Sequence, residues 1–213
     1  MKPPVRAWSR REEIANSLSH GAGFVGVLIG TPFLLIAAVD HGRVGPIVGA
    51  CVFAVLAMLL YLISALHHWF LPGKTKDFFE ALDHAAIFLM IAGTYTPFAL
   101  GVLWGPWGWL LMSVIWPFAI IGAWLKTTRR VRRPFFTIAL YVAMGWFMLV
   151  AVRPLSVRMP MAGLSLILAG GLAYTGGLGF YVARRIPYHH LGWHLSVLAG
   201  TAFHYFAVLR YAA

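Results

Sequence analysis

The feature that most constrains this chain is a series of seven apolar runs, each close to the length a helix needs to cross a bilayer, about 20 residues. They fall at about 21–39, 45–66, 83–103, 107–125, 134–152, 160–183 and 190–210. Hydrocarbon offers no water to the backbone, so its N–H and C=O groups must pair within a helix or around a closed barrel. No run alternates polar and apolar residues as barrel strands do. The expected fold is therefore an all-α membrane protein, a bundle of seven transmembrane helices forming one integral membrane domain over 1–213. A six-span form, with the third and fourth runs as one re-entrant hairpin, is the alternative. A composition of 61% hydrophobic and 11% charged residues excludes the soluble globular class.

Residues 1–19 are polar and basic, and SRREEIANSLSH predicts a short amphipathic helix on the membrane surface leading into the first span. The first apolar run lies behind Glu12 and Glu13 and continues as a full span, so no cleavable signal is expected. Glycine and proline within the runs (Gly93, Pro97, Pro117, Gly170, Gly171, Gly176, Gly177) suit membrane helices, where they permit close packing and kinks. The lone Cys51 is expected as a small core residue.

The net charge of +11 raises nucleic acid as a partner, but the positive residues sit in short loops rather than on one folded face. They set orientation instead. An inside N-terminus puts Lys2, Arg6, Arg10, Arg11, Lys74, Lys76, Lys126, Arg129, Arg130, Arg132, Arg133, Arg184 and Arg185 on the cytoplasmic side. Only Arg43, Arg153, Arg158 and Arg210 then face out, thirteen against four. The N-terminus is expected in the cytoplasm and the C-terminus outside, in a multi-pass protein of the cell's inner (plasma) membrane. The run KTTRRVRR reads as that topology signal and as a contact for anionic lipid. Membrane lipid is the expected partner, with neither nucleic acid nor a soluble protein.

With that orientation Glu13, Asn16, His20, Ser64, His67, His68, Asp83, His84, His190 and His194 fall at one depth, near the cytoplasmic edge. Ionisable groups are costly there unless paired or liganded, so their convergence points to a site. His190 and His194 stand four apart, one helical turn, and can grip one ion; His189 faces elsewhere. A catalytic zinc ion takes three protein ligands, and the third is expected from His68 or its neighbour His67. Zinc suits imidazole nitrogen, and no thiolate is at hand. It would polarise an ester or amide carbonyl and activate water. Asp83 can hold that water and take its proton, and Ser64, one turn before His68, can orient the imidazole or the water.

Each residue has a plainer reading. Interfacial histidines bridge helices or meet headgroups, and Asp83 can cap the helix it opens. Trp104, Trp107, Trp109 and Trp193 read as interfacial anchors, and Tyr95 and Tyr205 as core or interface residues. His204, about 20 Å beyond His190 along its helix, is either functional or a packing hydrogen bond.

Glu13-x-x-Asn16-x-x-Ser19-His20, Ser64-x-x-x-His68, Asp83 opening a span that ends in GTYTPF, and His190-x-x-x-His194 together resemble the motifs of the haemolysin III family. That family is the bacterial branch of the progestin and adiponectin receptor group, and the resemblance runs from Glu13 to Arg210. It implies a seven-helix bundle with an inside N-terminus and a zinc ion near the cytoplasmic face. It assigns His68, His190 and His194 as ligands, Asp83 to the water and Ser64 beside it, and so selects His68 over His67. The adiponectin receptors and the distantly similar alkaline ceramidases are associated with hydrolysis of lipid amides, while bacterial members carry a haemolysin label and have been linked to membrane lipid homeostasis.

Three functions follow as expectations. The first is a zinc-dependent intramembrane hydrolase of a lipid amide or ester. The second is a pore-forming haemolysin with structural zinc, against which stands the scarcity of charge in the fourth to sixth spans. The third is a sensor of lipid state.

Overall fold

A computed structural model describes residues 8–130 and 134–213; of the basic residues used for orientation, Lys2, Arg6, Arg132 and Arg133 lie outside them. The described residues are all helical, without a strand: α1 (Arg10–Asp40), α2 (Val44–Trp69), α3 (Lys74–Pro97), α4 (Pro106–Thr127), α5 (Pro134–Trp146), α6 (Val152–Arg158), α7 (Met161–Val182) and α8 (His189–Tyr211). A π turn, Phe98–Val102, prolongs α3, and a 3₁₀ turn, Phe147–Ala151, joins α5 to α6. Six helical segments are long and apolar enough to cross a membrane, and together they include both the third and the fourth apolar run. Their outer surface carries Leu28, Ile29, Phe33, Ile36, Ile120 and Ile121 in the open. So continuous an apolar exterior belongs against lipid rather than water. Helix α8 has the length, 23 residues, but its four histidines make it less apolar.

Several helices outrun the apolar runs that announce them. Rather than a separate surface helix followed by a span, the chain has one helix of 31 residues starting at Arg10. Ser9 and Glu12 form a capping box at its start, each side chain bonded to the other's backbone N–H at 3.3 and 2.8 Å. At 1.5 Å per residue α1 is about 46 Å long, well beyond the ~30 Å of a hydrocarbon core. Its polar first turns therefore reach the same end of the bundle as the histidines. Helix α3 likewise begins at Lys74, so Asp83 sits in the third turn and does not cap the helix. Cys51 is exposed on α2 instead of lying in the core.

Helix α1 packs between α2 and α8, α3 beside α2, and α7 beside α8; α5 touches α3 and α7 and completes a ring, while α4 lies outside against α3. Small residues bring these helices together. The buried residues of α7 are Gly163, Gly170 and Gly177, spaced by seven, and a Cβ on Gly177 would stand 2.6 Å from Cβ of Ser196 on α8. A Cβ on Gly49 would stand 2.6 Å from Cα of Pro97, and Gly45 lies against the Leu100 carbonyl. In hydrocarbon, where apolar burial gives no drive for association, such backbone approach is a main source of packing energy. Tyr95 holds the break after α5: its hydroxyl donates to the Met144 carbonyl at 2.6 Å and accepts from the Met148 N–H at 2.8 Å.

Candidate metal centre

The last turns of α2 and the first turns of α1, α3 and α8 meet at one end of the ring, each contributing polar side chains that its own helix cannot satisfy. His68 from α2 and His190 and His194 from α8 are buried there, with one nitrogen of each within 4.8 Å of the others. The rings lie 5.0 Å (68 to 190), 4.9 Å (68 to 194) and 4.6 Å (190 to 194) apart, centre to centre. His190 and His194 share a helix face; His68 joins them only because α2 and α8 converge.

Two of the rings are oriented from behind. His68 Nδ1 donates to Glu13 Oε2 at 2.7 Å, and the other oxygen of Glu13 receives Lys76 Nζ at 2.8 Å. His194 Nδ1 donates to the Asn16 carbonyl at 3.1 Å and to the Ser19 hydroxyl at 3.0 Å. Carboxylate and carbonyl oxygens only accept, so both rings hold their proton on Nδ1 and present a bare Nε2. His68 Nε2 and His190 Nδ1 are buried without any hydrogen-bond partner, an arrangement that is unfavourable unless something else takes the lone pairs. Three neutral imidazole nitrogens backed by a carboxylate and a carbonyl fit a borderline-soft divalent metal.

The remaining residues of the cluster divide by position. His67 stands beside His68, ring centres 4.6 Å apart, and forms with His68 and Asp83 a second group able to hold a metal. His20 is stacked flat on His194, 3.5 Å between centres, with both its nitrogens buried and unpaired. Asn16 places its carbonyl on His194, while its side-chain amide is buried without a partner. Ser64 Oγ is buried and bonded to nothing, including His68. His84 turns back to the Glu80 carbonyl at 2.8 Å and takes no part in the three-histidine group. His189 faces away, its Nδ1 donating to the Phe180 carbonyl at 3.1 Å.

Two cavities meet at this centre. A polar vestibule of 670 Å³ is lined by His67, Asp77, Glu80, His84, Lys126, Arg129, Arg184 and His190. An apolar chamber of 370 Å³ runs into the bundle past Ser64, Met90, Phe98, Leu155, Leu164, Ile167, His194 and His204. Asp83, Ile87, Tyr141, Leu178 and Trp193 line both. Trp193 is thus part of the partition, not the interfacial anchor expected, whereas Trp104 and Trp109 are exposed.

Some contributors escape sequence reasoning. Trp8 covers His190, ring centres 4.5 Å apart, and its Nε1 donates to His189 Nε2 at 3.3 Å. Glu12, besides capping α1, accepts the backbone N–H of Tyr188 at 2.9 Å, where a left-handed residue (φ 56°) starts α8. Lys126 and Arg129, read from sequence as a lipid contact, form part of the vestibule wall. The one advance sign was the density of charge around each motif.

Comparison with known proteins agrees with this architecture. The family model described as haemolysin-III related matches residues 8–205. The hemolysin-3 homolog of Bacillus subtilis (strain 168) is 43% identical over 204 residues, 94% of each chain. Hemolysin-3 of Bacillus cereus is 42% identical over 203 residues, covering 94% of this chain and 92% of its own. The human monocyte to macrophage differentiation factor is 24% identical over 206 residues, 94% of this chain and 84% of its own. With a helical membrane bundle on one side and a match over nearly its whole length on the other, the chain belongs to the haemolysin III family.

Proposed function

We propose that this protein is a zinc-dependent intramembrane hydrolase of a lipid amide or ester, with α8 as a seventh span, the N-terminus in the cytoplasm and the C-terminus outside, in the inner membrane. His68, His190 and His194 hold the ion, which when bound polarises the substrate carbonyl. Asp83 takes the proton of the attacking water and returns it to the departing amine or alcohol. Ser64 Oγ, unspent within the protein, donates to the carbonyl oxygen as charge develops there.

The observation that carries the reading is the position of Asp83, on the wall common to a polar vestibule and an apolar chamber beside three clustered imidazoles, two of them with an unpaired buried nitrogen. An amphiphile fits across that junction, headgroup in the vestibule and acyl chain in the chamber, with the bond between them at the centre. The test is metal content and lipid turnover of the purified protein. His194→Ala is expected to lose the metal. Asp83→Ala is expected to keep it and lose turnover by at least about a hundredfold. Unchanged turnover in both variants ends the proposal.

The name of the Bacillus cereus relative, hemolysin-3, favours a second reading, a cytolytic membrane protein with a structural metal. That reading requires liposome leakage that survives Asp83→Ala, whereas a hydrolase leaves sealed liposomes of inert lipid intact.

A further inference from the structure

The far end of the apolar chamber carries a polar group that the chemistry above leaves unused. His204 lines the chamber and is only 8% exposed. Its Nδ1 lies 2.9 Å from the Gly200 carbonyl one turn back. A carbonyl can only accept, so Nδ1 carries the proton and Nε2 of the neutral ring is a bare acceptor. No described residue donates to it.

The ring is held in place. It lies along Tyr174, centres 5.5 Å apart and planes 23° from parallel, and Gly170 packs beneath it so closely that a Cβ there would collide with Nδ1 and Cε1. The hydroxyls of Tyr174 and Thr175 are already engaged. The Tyr174 hydroxyl pairs with Thr201 at 2.9 Å. The Thr175 hydroxyl donates to Gly171 and accepts from Trp146. A fixed, unpaired acceptor thus remains at this end of the chamber, away from the unpaired groups of Ser64 and His20 near the three histidines. An unbranched alkyl chain filling the chamber would strip it of water and give nothing back, whereas a chain bearing a hydroxyl would satisfy it.

Ten residues separate His194 from His204, about 15 Å along α8, the extended length of about a dozen methylene groups. We propose that His204 is a second recognition point, selecting amphiphiles whose chain carries a hydroxyl about a dozen carbons from the head held at the three-histidine centre, with that hydroxyl donating to Nε2. This rests on reading the chamber as an acyl site, but not on hydrolysis taking place.

The test is binding. The full chain, purified in detergent with a fluorescent fatty acid bound, is titrated with 12-hydroxyoctadecanoate, its methyl ether, or octadecanoate. The hydroxy acid is expected to displace the probe at about tenfold lower concentration than either of the others, one buried hydrogen bond. His204→Phe is expected to abolish the preference and His204→Gln, which keeps an acceptor, to retain part of it. His194→Ala is expected to weaken both acids while preserving their ratio, so failure of the hydrolase reading and failure of this one are told apart. Equal displacement by the three compounds on the unaltered protein, a preference that survives His204→Phe, or no displacement at all overturns the proposal. The methyl ether comparison needs no variant to fold.

Discussion

Glu13 joins three helices through one carboxylate, receiving His68 from α2 on one oxygen and Lys76 from α3 on the other. The first bond fixes the His68 ring and raises its basicity; the second keeps the carboxylate in place. Glu13→Gln is expected to weaken metal binding about 10- to 100-fold without unfolding the protein, measured by competition with a chromophoric chelator. Equal affinity in the two proteins would remove Glu13 from the centre's support. At this scale the sequence shows which residues are costly to bury but seldom what they touch. His190 and His194 are legible as a pair because they stand one helical turn apart. Ser64 and His68 are legible for the same reason, yet no bond joins them, since the His68 ring turns toward α1 instead.

At the scale of elements, glycine position decides which helices approach. Gly176 and Gly177 are neighbours on α7 with opposite surroundings: a Cβ on the first meets nothing within 4 Å, whereas one on the second runs into Ser196 and Trp193 of α8. Gly177→Ala is expected to cost about 1–3 kcal/mol by forcing α7 and α8 apart. Gly176→Ala should be neutral or slightly stabilising, because alanine is the better helix former. Thermal unfolding of both variants in one detergent checks the pair, and equal midpoints would show that the α7–α8 contact does not depend on close backbone approach. Helix existence was legible from the apolar runs, but their ends were not. The polar starts of α1 and α3 are stabilised by the capping box and by Lys76 and Glu13 reaching across helices, which no hydropathy pattern records.

For the molecule as a whole, the proposed orientation places the vestibule on the cytoplasmic side. With Cys51 replaced by serine, Thr128→Cys in whole cells is expected to resist a membrane-impermeant thiol reagent until the cells are opened, and Ser156→Cys to react at once; both positions are exposed. The reverse pattern would invert the topology and put the three-histidine cluster at the outer face. The sequence by itself determined that the chain is a helical membrane protein, because apolar length and the absence of strand alternation leave the backbone no other way to pair its polar groups in lipid. It also determined that most of its histidines and acids gather at one end, because they occupy matching ends of successive runs; Asp40, His41 and His204 do not. Only the tertiary structure decided that His68, His190 and His194 meet, that Asp83 stands between a polar and an apolar cavity, and that His204 ends the latter. Those outcomes depend on how far each helix is rotated about its axis and how closely its glycines let it approach its neighbours. Contacts across 55 to 178 residues of chain, such as those of Glu13 with His68 and Asn16 with His194, set these quantities.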